Sequence, residues 1–305
     1  MHFLSYIICH ACILWVLSFL HVCAHQDLRH SLEELNEHIL EKPTPELFFQ
    51  RAQTYKAMGN LNNAFKDLVS ATAAKPNNLA WQLEFCRLEL ASHHPEKALQ
   101  IANFALKLAK DRLDRAETHI LRAQAYQASG KDQPALHAYQ LAFKESPAGK
   151  IDWFLMRSEC QRLLGRHDEQ IRGLRSGLKQ FPDSILKAQL VEALIDGKKN
   201  LEALKIINNE LPTLRFKSAW LIKRARAKIN QNDKTTGFED LYTALMEINE
   251  RVNPDKPDPL LLADKAKISL LMGDMTAARM QIEQLKKHNA PKWITHRLEQ
   301  ELAKK

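Results

Sequence analysis

Glycine is scarce in this chain, and so are the sequence patterns of β-strands. Glycine accounts for nine of the 305 residues and proline for twelve. No stretch alternates polar and apolar residues over a length that could build a sheet. The chain is instead rich in Ala, Leu, Lys and Gln, which favour α-helices, and 45% of its residues are hydrophobic, enough for a large core. The composition therefore excludes a sheet-based fold and predicts an all-α protein.

Motifs that carry enzyme chemistry are also missing. The chain contains no G-x-S-x-G, P-loop, G-x-G-x-x-G or H-E-x-x-H pattern. We interpret His93 and His94, adjacent in a predicted turn, as an exposed polar turn, with a metal site as the less favoured alternative. His119, His137 and His167 are scattered, and none has another candidate ligand four residues away. The sequence therefore predicts no catalytic residue, no metal ion and no cofactor.

Charged residues are absent from the first 24 positions, MHFLSYIICHACILWVLSFLHVCA. An uncharged apolar segment that ends in small residues is typical of a secretory signal peptide, and Val22 and Ala24 predict cleavage between Ala24 and His25. The usual Lys or Arg near the start is missing, and the segment approaches the ~20 residues that span a bilayer. An uncleaved membrane anchor and a lipoprotein acylated at Cys23 therefore stay open as alternatives. We expect an exported protein, periplasmic or secreted.

A short phrase occurs twice in the chain, as RAQTYKAMG at 51–59 and as RAQAYQASG at 122–130. When the glycine of each phrase is set at position 15 of a repeating unit, both units have alanine at position 20 and proline at position 32. Glycine there suits the end of a first helix, where the backbone turns left-handed, and proline helps to stop a second helix. The glycines are Gly59, Gly130, Gly165 and Gly273, and the prolines are Pro76, Pro147 and Pro182.

Small residues recur at two further positions of the unit. Two antiparallel helices can cross at about 8–10 Å only where the side chains between them are small. Tyr55 and Tyr126, at position 11, are expected to fill the core beside that crossing. Position 8 holds Ala52, Cys86, Ala123, Ser158, Val191, Ala225 and Ala266, and position 20 holds Ala64, Ala98, Ala135, Gln170, Ala203, Gly237 and Ala278.

This 34-residue pattern resembles the tetratricopeptide repeat family from residue 45 to about 292. The resemblance implies an all-α, right-handed solenoid of about seven helix-turn-helix repeats, with cap helices at 25–44 and 293–305. The second and fourth repeats do not touch in such a solenoid, so Cys86 and Cys160 are expected to be structural thiols rather than a disulfide. The repeats are placed at 45–78, 79–112, 116–149, 151–183, 184–217, 218–251 and 259–292.

The chain looks like exported, repeat-only bacterial members of this family, which carry no catalytic domain. That likeness implies a non-catalytic scaffold that binds a peptide or protein partner on its concave surface. Two alternatives stay open. One is an accessory or regulatory subunit of an exported enzyme. The other is a membrane-anchored assembly factor, if residues 1–24 are retained.

Positive charge is concentrated in the second half of the chain. Residues 25–150 contain 16 basic and 15 acidic residues, whereas residues 151–305 contain 28 basic and 21 acidic residues. The densest run, RFKSAWLIKRARAK at 215–228, has six basic residues and no acidic one. Lys223 and Arg226 share a helical face, and Lys267 occupies the position of Arg226 in the next repeat. These residues suggest a basic groove for an acidic partner, and the alternative is a solvated helix face.

Position 9 of each repeat should face the same surface, because first helices line the concave side in this family. Gln53, Arg87 and Gln124 are therefore a second set of candidate binding residues. Export and the even mixture of Glu among Lys disfavour nucleic acid as the partner. The seven residues at this position are all polar: Gln53, Arg87, Gln124, Glu159, Glu192, Arg226 and Lys267.

Overall fold

The computed structural model describes residues 27–253 and 256–304, so the predicted cleavage site between Ala24 and His25 lies outside the described residues. Within them the chain forms α-helices joined by short turns, together with one 3-10 turn at Leu211–Thr213, and no strand. The helices are α1 (27–41), α2 (Pro45–Ala57), α3 (Leu61–Ala74), α4 (Leu79–Ala91), α5 (Pro95–Leu108), α6 (Arg112–Ala128), α7 (Asp132–Glu145), α8 (Ile151–Leu163), α9 (His167–Gln180), α10 (Ser184–Asp196), α11 (Asn200–Glu210), α12 (Ser218–Ile229), α13 (Lys234–Arg251), α14 (Pro259–Met272), α15 (Met275–Lys287) and α16 (Lys292–Ala303).

Local sequence signals start and stop many of these helices. Asn60 and Asp111 cap α3 and α6, since their side chains accept hydrogen bonds from backbone N–H groups three residues on, at 3.2 and 2.8 Å. Each predicted proline lies two residues after the end of a second helix, at Pro76, Pro147 and Pro182. The predicted glycines have positive φ, a conformation that strains residues with a Cβ: Gly59 +76°, Gly130 +71°, Gly165 +69° and Gly273 +84°.

The chain divides into two compact halves, which meet at Trp153 and Phe154 in sequence. In the N-terminal half, one core cluster joins Ala52, Ala64, Leu68 and Leu88, and a second one surrounds Cys86 and Ala98. In the C-terminal half, a cluster of buried residues from α14, α15 and α16 includes Ala266, Ala278, Ile282, Ile294 and Leu298. Each half thus has its own hydrophobic core.

Small residues lie at the helix crossings in every repeat. All residues at position 8 are at most 2% exposed, and all residues at position 20 are buried. In the fourth repeat both positions are polar, and there the Gln170 amide donates to the Ser158 hydroxyl at 3.0 Å. In the sixth repeat an added Cβ on Gly237 would lie 2.9 Å from a carbon of Ile229. The crossings therefore leave little spare volume. Where one crossing residue is polar, as in the fourth repeat, its partner on the other helix is polar too.

The fifth repeat departs from the others at its second helix. The pattern predicts a small residue at position 27, but Glu210 stands there. In the structure α11 ends at Glu210 and a 3-10 turn follows. The Glu210 carboxylate accepts a hydrogen bond from the Lys187 ammonium at 2.7 Å. The shorter helix and this ion pair explain why a small residue is not needed.

Tyr55 is half-buried and packs against the core cluster of Ala52, Ala64 and Leu68, as its repeat position predicts. Tyr126 is also half-buried. Cys86 and Cys160 are both buried reduced thiols, and burial raises the pKa of Cys86 to about 12. None of the helices in the described part of the chain combines the length and apolar character needed to cross a membrane.

Candidate functional site

The residues at position 9 of the seven repeats form the candidate surface, which we call the inner column. Their neighbours at position 8 are all buried in helix crossings. None of the column residues is buried, since Arg87 is exposed and the other six are half-exposed. Each column side chain thus follows a residue that is buried in a helix crossing, and is itself accessible to solvent. The members are Gln53, Arg87, Gln124, Glu159, Glu192, Arg226 and Lys267.

An ion-pair chain crosses the first helices of the N-terminal half. It runs from Lys56 on α2 through Glu84 and Arg87 on α4 and Glu117 on α6 to Lys150. Arg87 lies 3.3 Å from Glu84 and 3.4 Å from Glu117, and Lys150 lies 2.6 Å from Glu117. Arg87 is therefore one member of an alternating series of charges and not an isolated base.

The ion pairs of this chain hold the charged groups in place but contribute little to the stability of the fold. Ion pairs between partly exposed side chains contribute roughly 0–1 kcal/mol each. Gln53 and Gln124, the other column residues of this half, are half-buried amides. A segment bound here would meet both signs of charge together with neutral donors and acceptors.

The C-terminal half brings Lys223 and Arg226 together, as their spacing predicts. Both bind the Glu192 carboxylate on α10, at 3.0 Å from the Lys223 ammonium and 2.9 Å from the Arg226 guanidinium. Arg226 also binds Asp196 through its second terminal nitrogen. We call these four residues the Glu192 cluster. Since Glu192 and Arg226 are 34 residues apart, they occupy the same position in consecutive repeats.

Glu192 and Arg226 hold each other in the charged form. Burial would raise the pKa of Glu192, but the charges of Lys223 and Arg226 outweigh burial and lower this pKa to about 2. Burial would likewise lower the pKa of Arg226, but Glu192 and Asp196 raise it. The cluster therefore joins two basic side chains to two acidic ones.

The basic run at 215–228 is not an uncompensated positive surface, because most of its bases bind carboxylates. Its carboxylate partners come from other helices. Arg224 and Lys228 bind Asp240 of α13 at 2.6 and 2.9 Å, in addition to the pairs of Lys223 and Arg226 in the Glu192 cluster. Four of the six bases are thus paired. The sequence had a signal for one of these partners, because Glu192 precedes Arg226 in the inner column.

Lys267 has a carboxylate partner on its own helix. Its ammonium lies 2.9 Å from the Asp264 carboxylate, one turn earlier on α14. Arg226 and Lys267, which the repeat positions predict to lie side by side, are thus each paired with carboxylates of their own.

The paired histidines lie in the turn between α4 and α5, where His93 is exposed with a positive φ of 60°. The ring of His94 lies 2.8 Å from the Glu89 carboxylate, which is 2% exposed. The pairing with His94 explains why a carboxylate, Glu89, replaces an aromatic residue at position 11 of this repeat. Within residues 27–253 and 256–304, no group of three or more His, Cys, Asp or Glu residues could hold a metal ion.

Comparison with protein families identifies one repeat directly. Residues 45–78 match the tetratricopeptide repeat family model, and these are the residues of the first predicted repeat. The search of curated proteins finds no match to this sequence.

Solved structures resemble much of this chain at low sequence identity. A tetratricopeptide repeat protein from Parabacteroides merdae ATCC 43184 is 16% identical, with a TM-score of 0.64, over 85% of this chain and 98% of that one. YrrB, a tetratricopeptide repeat protein with an unusual peptide-binding site, is 15% identical, with a TM-score of 0.50, over 59% of this chain and 91% of its own. At these identities the likeness shows the fold, an all-α repeat solenoid.

Proposed function

Because the chain is a tetratricopeptide repeat protein, we propose that it is a non-catalytic scaffold that binds a segment of a partner protein along the inner column. This proposal rests on the difference in burial between positions 8 and 9 of the repeat. Position 8 is buried in every repeat and position 9 in none, although both lie on the same helices. A rigid support with accessible polar groups loses little conformational freedom when a ligand binds, which favours recognition.

The partner's chemistry follows from the charges of the surface. An acidic segment is the partner that residues 215–228 predict, but such a segment would compete with Glu192, Asp196 and Asp240 for their bases. The ion-pair chain of the N-terminal half likewise offers both signs of charge. A segment that carries both acidic and basic residues suits these surfaces better than a uniformly acidic one.

Export is part of the proposal and rests on residues 1–24, which lie outside the described residues. The scaffold would then bind a periplasmic or secreted partner. The intact mass of protein made with a working secretion system should correspond to a chain that begins at His25. Recovery of the full-length chain in the membrane fraction would instead favour the anchored form.

The binding surface can be tested with two matched variants of the N-terminal half. Gln53→Arg with Gln124→Arg changes the inner column, and Gln100→Arg with Gln140→Arg adds the same charge on exposed positions of the second helices α5 and α7. Both proteins are used to capture partners from the exported fraction of the source cells. A partner retained by the wild type and by the α5/α7 variant, but lost by the column variant, supports the proposal. Equal capture by both variants contradicts it.

A further inference from the structure

A cavity lies between the sixth and seventh repeats, away from the inner column. Its volume is about 390 Å³, which is within the range of small-molecule sites. Residues at the end of α13, in the link that follows, and on α14 and α15 line it, and none of these residues occupies position 9 of a repeat. The cavity is therefore a second candidate site, separate from the surface proposed for the partner segment.

The lining combines bases, amides and apolar side chains. Lys265 of α14 and His288 of α15 are basic, although a histidine is charged only when it is protonated. Asn249 and Gln284 provide amides, and the buried Leu262 belongs to the apolar part. No acidic residue is among the described residues that line the cavity. Such a lining suits a ligand that joins a negative group to a short apolar one.

The bases at position 7 of the other repeats each have a side-chain partner. In the first and sixth repeats the partner is an aspartate at position 23 of the same repeat, 16 residues further along the chain. In the third repeat it is a histidine ring, hydrogen-bonded at 3.2 Å, and in the fourth it is a phenylalanine ring beneath the guanidinium. The pairs are Arg51–Asp67, Arg122–His119, Arg157–Phe154 and Arg224–Asp240.

Lys265 occupies position 7 of the seventh repeat without such a partner. Position 23 of this repeat is Gln281, a neutral amide that cannot balance the charge of an ammonium group. Within residues 27–253 and 256–304, no side chain forms an ion pair or a hydrogen bond with Lys265, and none donates to the buried Oε1 of Gln281. The seventh repeat therefore has the base of the pair but not the carboxylate, and this base lines the cavity.

We propose that the cavity binds an organic carboxylate with a short apolar body. The carboxylate lies on the Lys265 ammonium and takes the place that Asp240 has opposite Arg224 in the sixth repeat. The apolar body packs against Val252 and Leu262. A charge-assisted hydrogen bond of this kind is about twice as strong as a neutral one, and Lys265 gives up no ion pair with a described residue to form it. This site extends the function beyond the scaffold, because its ligand does not need the inner column.

Titration of the protein with isocaproate, a short branched carboxylate, tests the site. The NMR shifts of the Asn249 and Gln284 side-chain amides report binding. We expect a dissociation constant on the order of 1 mM, as for other ligands of this size. Isocaproamide, which has the same shape without the charge, should bind at least roughly tenfold more weakly.

Two lysine variants show whether the charge of the cavity is responsible. Lys265→Met should bind isocaproate at least roughly tenfold more weakly than the wild type. Lys287→Met removes an exposed base of α15 that does not line the cavity, and it should bind within about twofold of the wild type. Equal binding by the wild type and Lys265→Met, or no saturable binding by the wild type, overturns the proposal.

A built-in carboxylate provides the second test. Lys265→Arg/Gln281→Asp gives the seventh repeat the pair of the first and sixth repeats, and its aspartate should weaken isocaproate binding at least roughly tenfold. Lys265→Arg alone keeps a base in the cavity and should bind within about threefold of the wild type. Equal binding by the single and double variants would show that the missing carboxylate does not create the site, which contradicts the proposal.

The carboxylate has two sources, a free acid or the last residue of a protein chain. N-acetyl-leucine has a similar branched group and adds the peptide amide of a chain end. If it binds roughly tenfold more tightly than isocaproate, and Lys265→Met loses both ligands, the site takes a chain end. Equal or weaker binding of N-acetyl-leucine, again dependent on Lys265, supports a free acid. Binding of either ligand that does not depend on Lys265 contradicts the site.

Discussion

Arg224 binds Asp240 through two parallel hydrogen bonds, of 2.9 and 2.6 Å, between the two helices of the sixth repeat. Arg51 binds Asp67 in the same way in the first repeat, at 2.7 and 2.8 Å. Both pairs are 16 residues apart and occupy positions 7 and 23 of their repeats. In the first and sixth repeats, the two helices are therefore joined by a bidentate ion pair beside the small-residue crossing.

The same two positions differ in other repeats. The fifth repeat has the apolar residues Leu190 and Ile206 there. The fourth has Arg157 and Gly173, and an added Cβ on Gly173 would lie 2.8 Å from the Arg157 guanidinium. Position 23 thus differs even where position 7 is arginine: it is aspartate in the first and sixth repeats and glycine in the fourth, where the Arg157 guanidinium lies over it, whereas the fifth repeat pairs two apolar residues.

Removal of Asp240 should destabilise the protein more than replacement of the whole pair. Asp240 is 5% exposed, and Asp240→Ala leaves Arg224 and Lys228 without their shared carboxylate, at a cost of about 1.5–3 kcal/mol. The Arg224→Leu/Asp240→Ile variant has the residues of the fifth repeat and should recover more than half of that loss. Urea unfolding of the three proteins measures both effects. If the double variant is less stable than Asp240→Ala, the two residue pairs are not interchangeable.

Two glycines of α9 should respond differently to alanine. An added Cβ meets the movable end of Arg157 at Gly173, but at Gly177 it meets the ring of Phe154 at 2.9 Å. Phe154 is buried and cannot shift freely. Gly177→Ala should therefore cost about 1–3 kcal/mol through overpacking, whereas Gly173→Ala should be neutral or stabilising by up to about 1 kcal/mol through helix propensity. Thermal unfolding compares them directly, and equal changes would contradict this explanation.

The crossings could be predicted from the sequence because their signals are local and recur at fixed spacing. Ala64 and Ala135 are recognisable from the glycine and proline that accompany them in the same 34 residues. The carboxylate partners of the basic residues are harder to predict from the sequence. Asp240 belongs to a different helix from Arg224, and only the folded repeat brings them together. Helix α16 lies outside the repeat pattern, and its Ile294 and Leu298 are buried with residues of α14 and α15.

Enlargement of a crossing residue tests the register of the repeats. Ala135 lies at position 20 with no exposed surface, so Ala135→Leu should cost about 1–3 kcal/mol through overpacking. Gln140 is on the same helix and is exposed, so Gln140→Leu should change stability by less than about 0.5 kcal/mol. Chemical unfolding of the two variants gives both values. Small, equal effects would mean that Ala135 does not lie in a tight crossing.

The Glu192 cluster should make stability depend on pH in the acid range. The pKa of Glu192 is lowered from 4.5 to about 2, so this carboxyl stabilises the fold fully above its unfolded pKa. The contribution is lost as pH falls from about 4.5 toward about 2, because the unfolded chain then binds the proton first. Between pH of about 6 and about 3.5 the loss is about 1.4 kcal/mol for this one group.

Glu192→Gln removes the titrating group and gives the matched comparison. The variant should be less stable than the wild type at pH of about 6, since Lys223 and Arg226 lose their shared carboxylate. The free energy of unfolding of Glu192→Gln should nevertheless fall less on acidification. The difference in this free energy between the two proteins therefore narrows toward pH of about 3.5. Urea unfolding across this range measures the narrowing. A difference that stays constant with pH would show that the cluster does not hold Glu192 ionised in the folded protein.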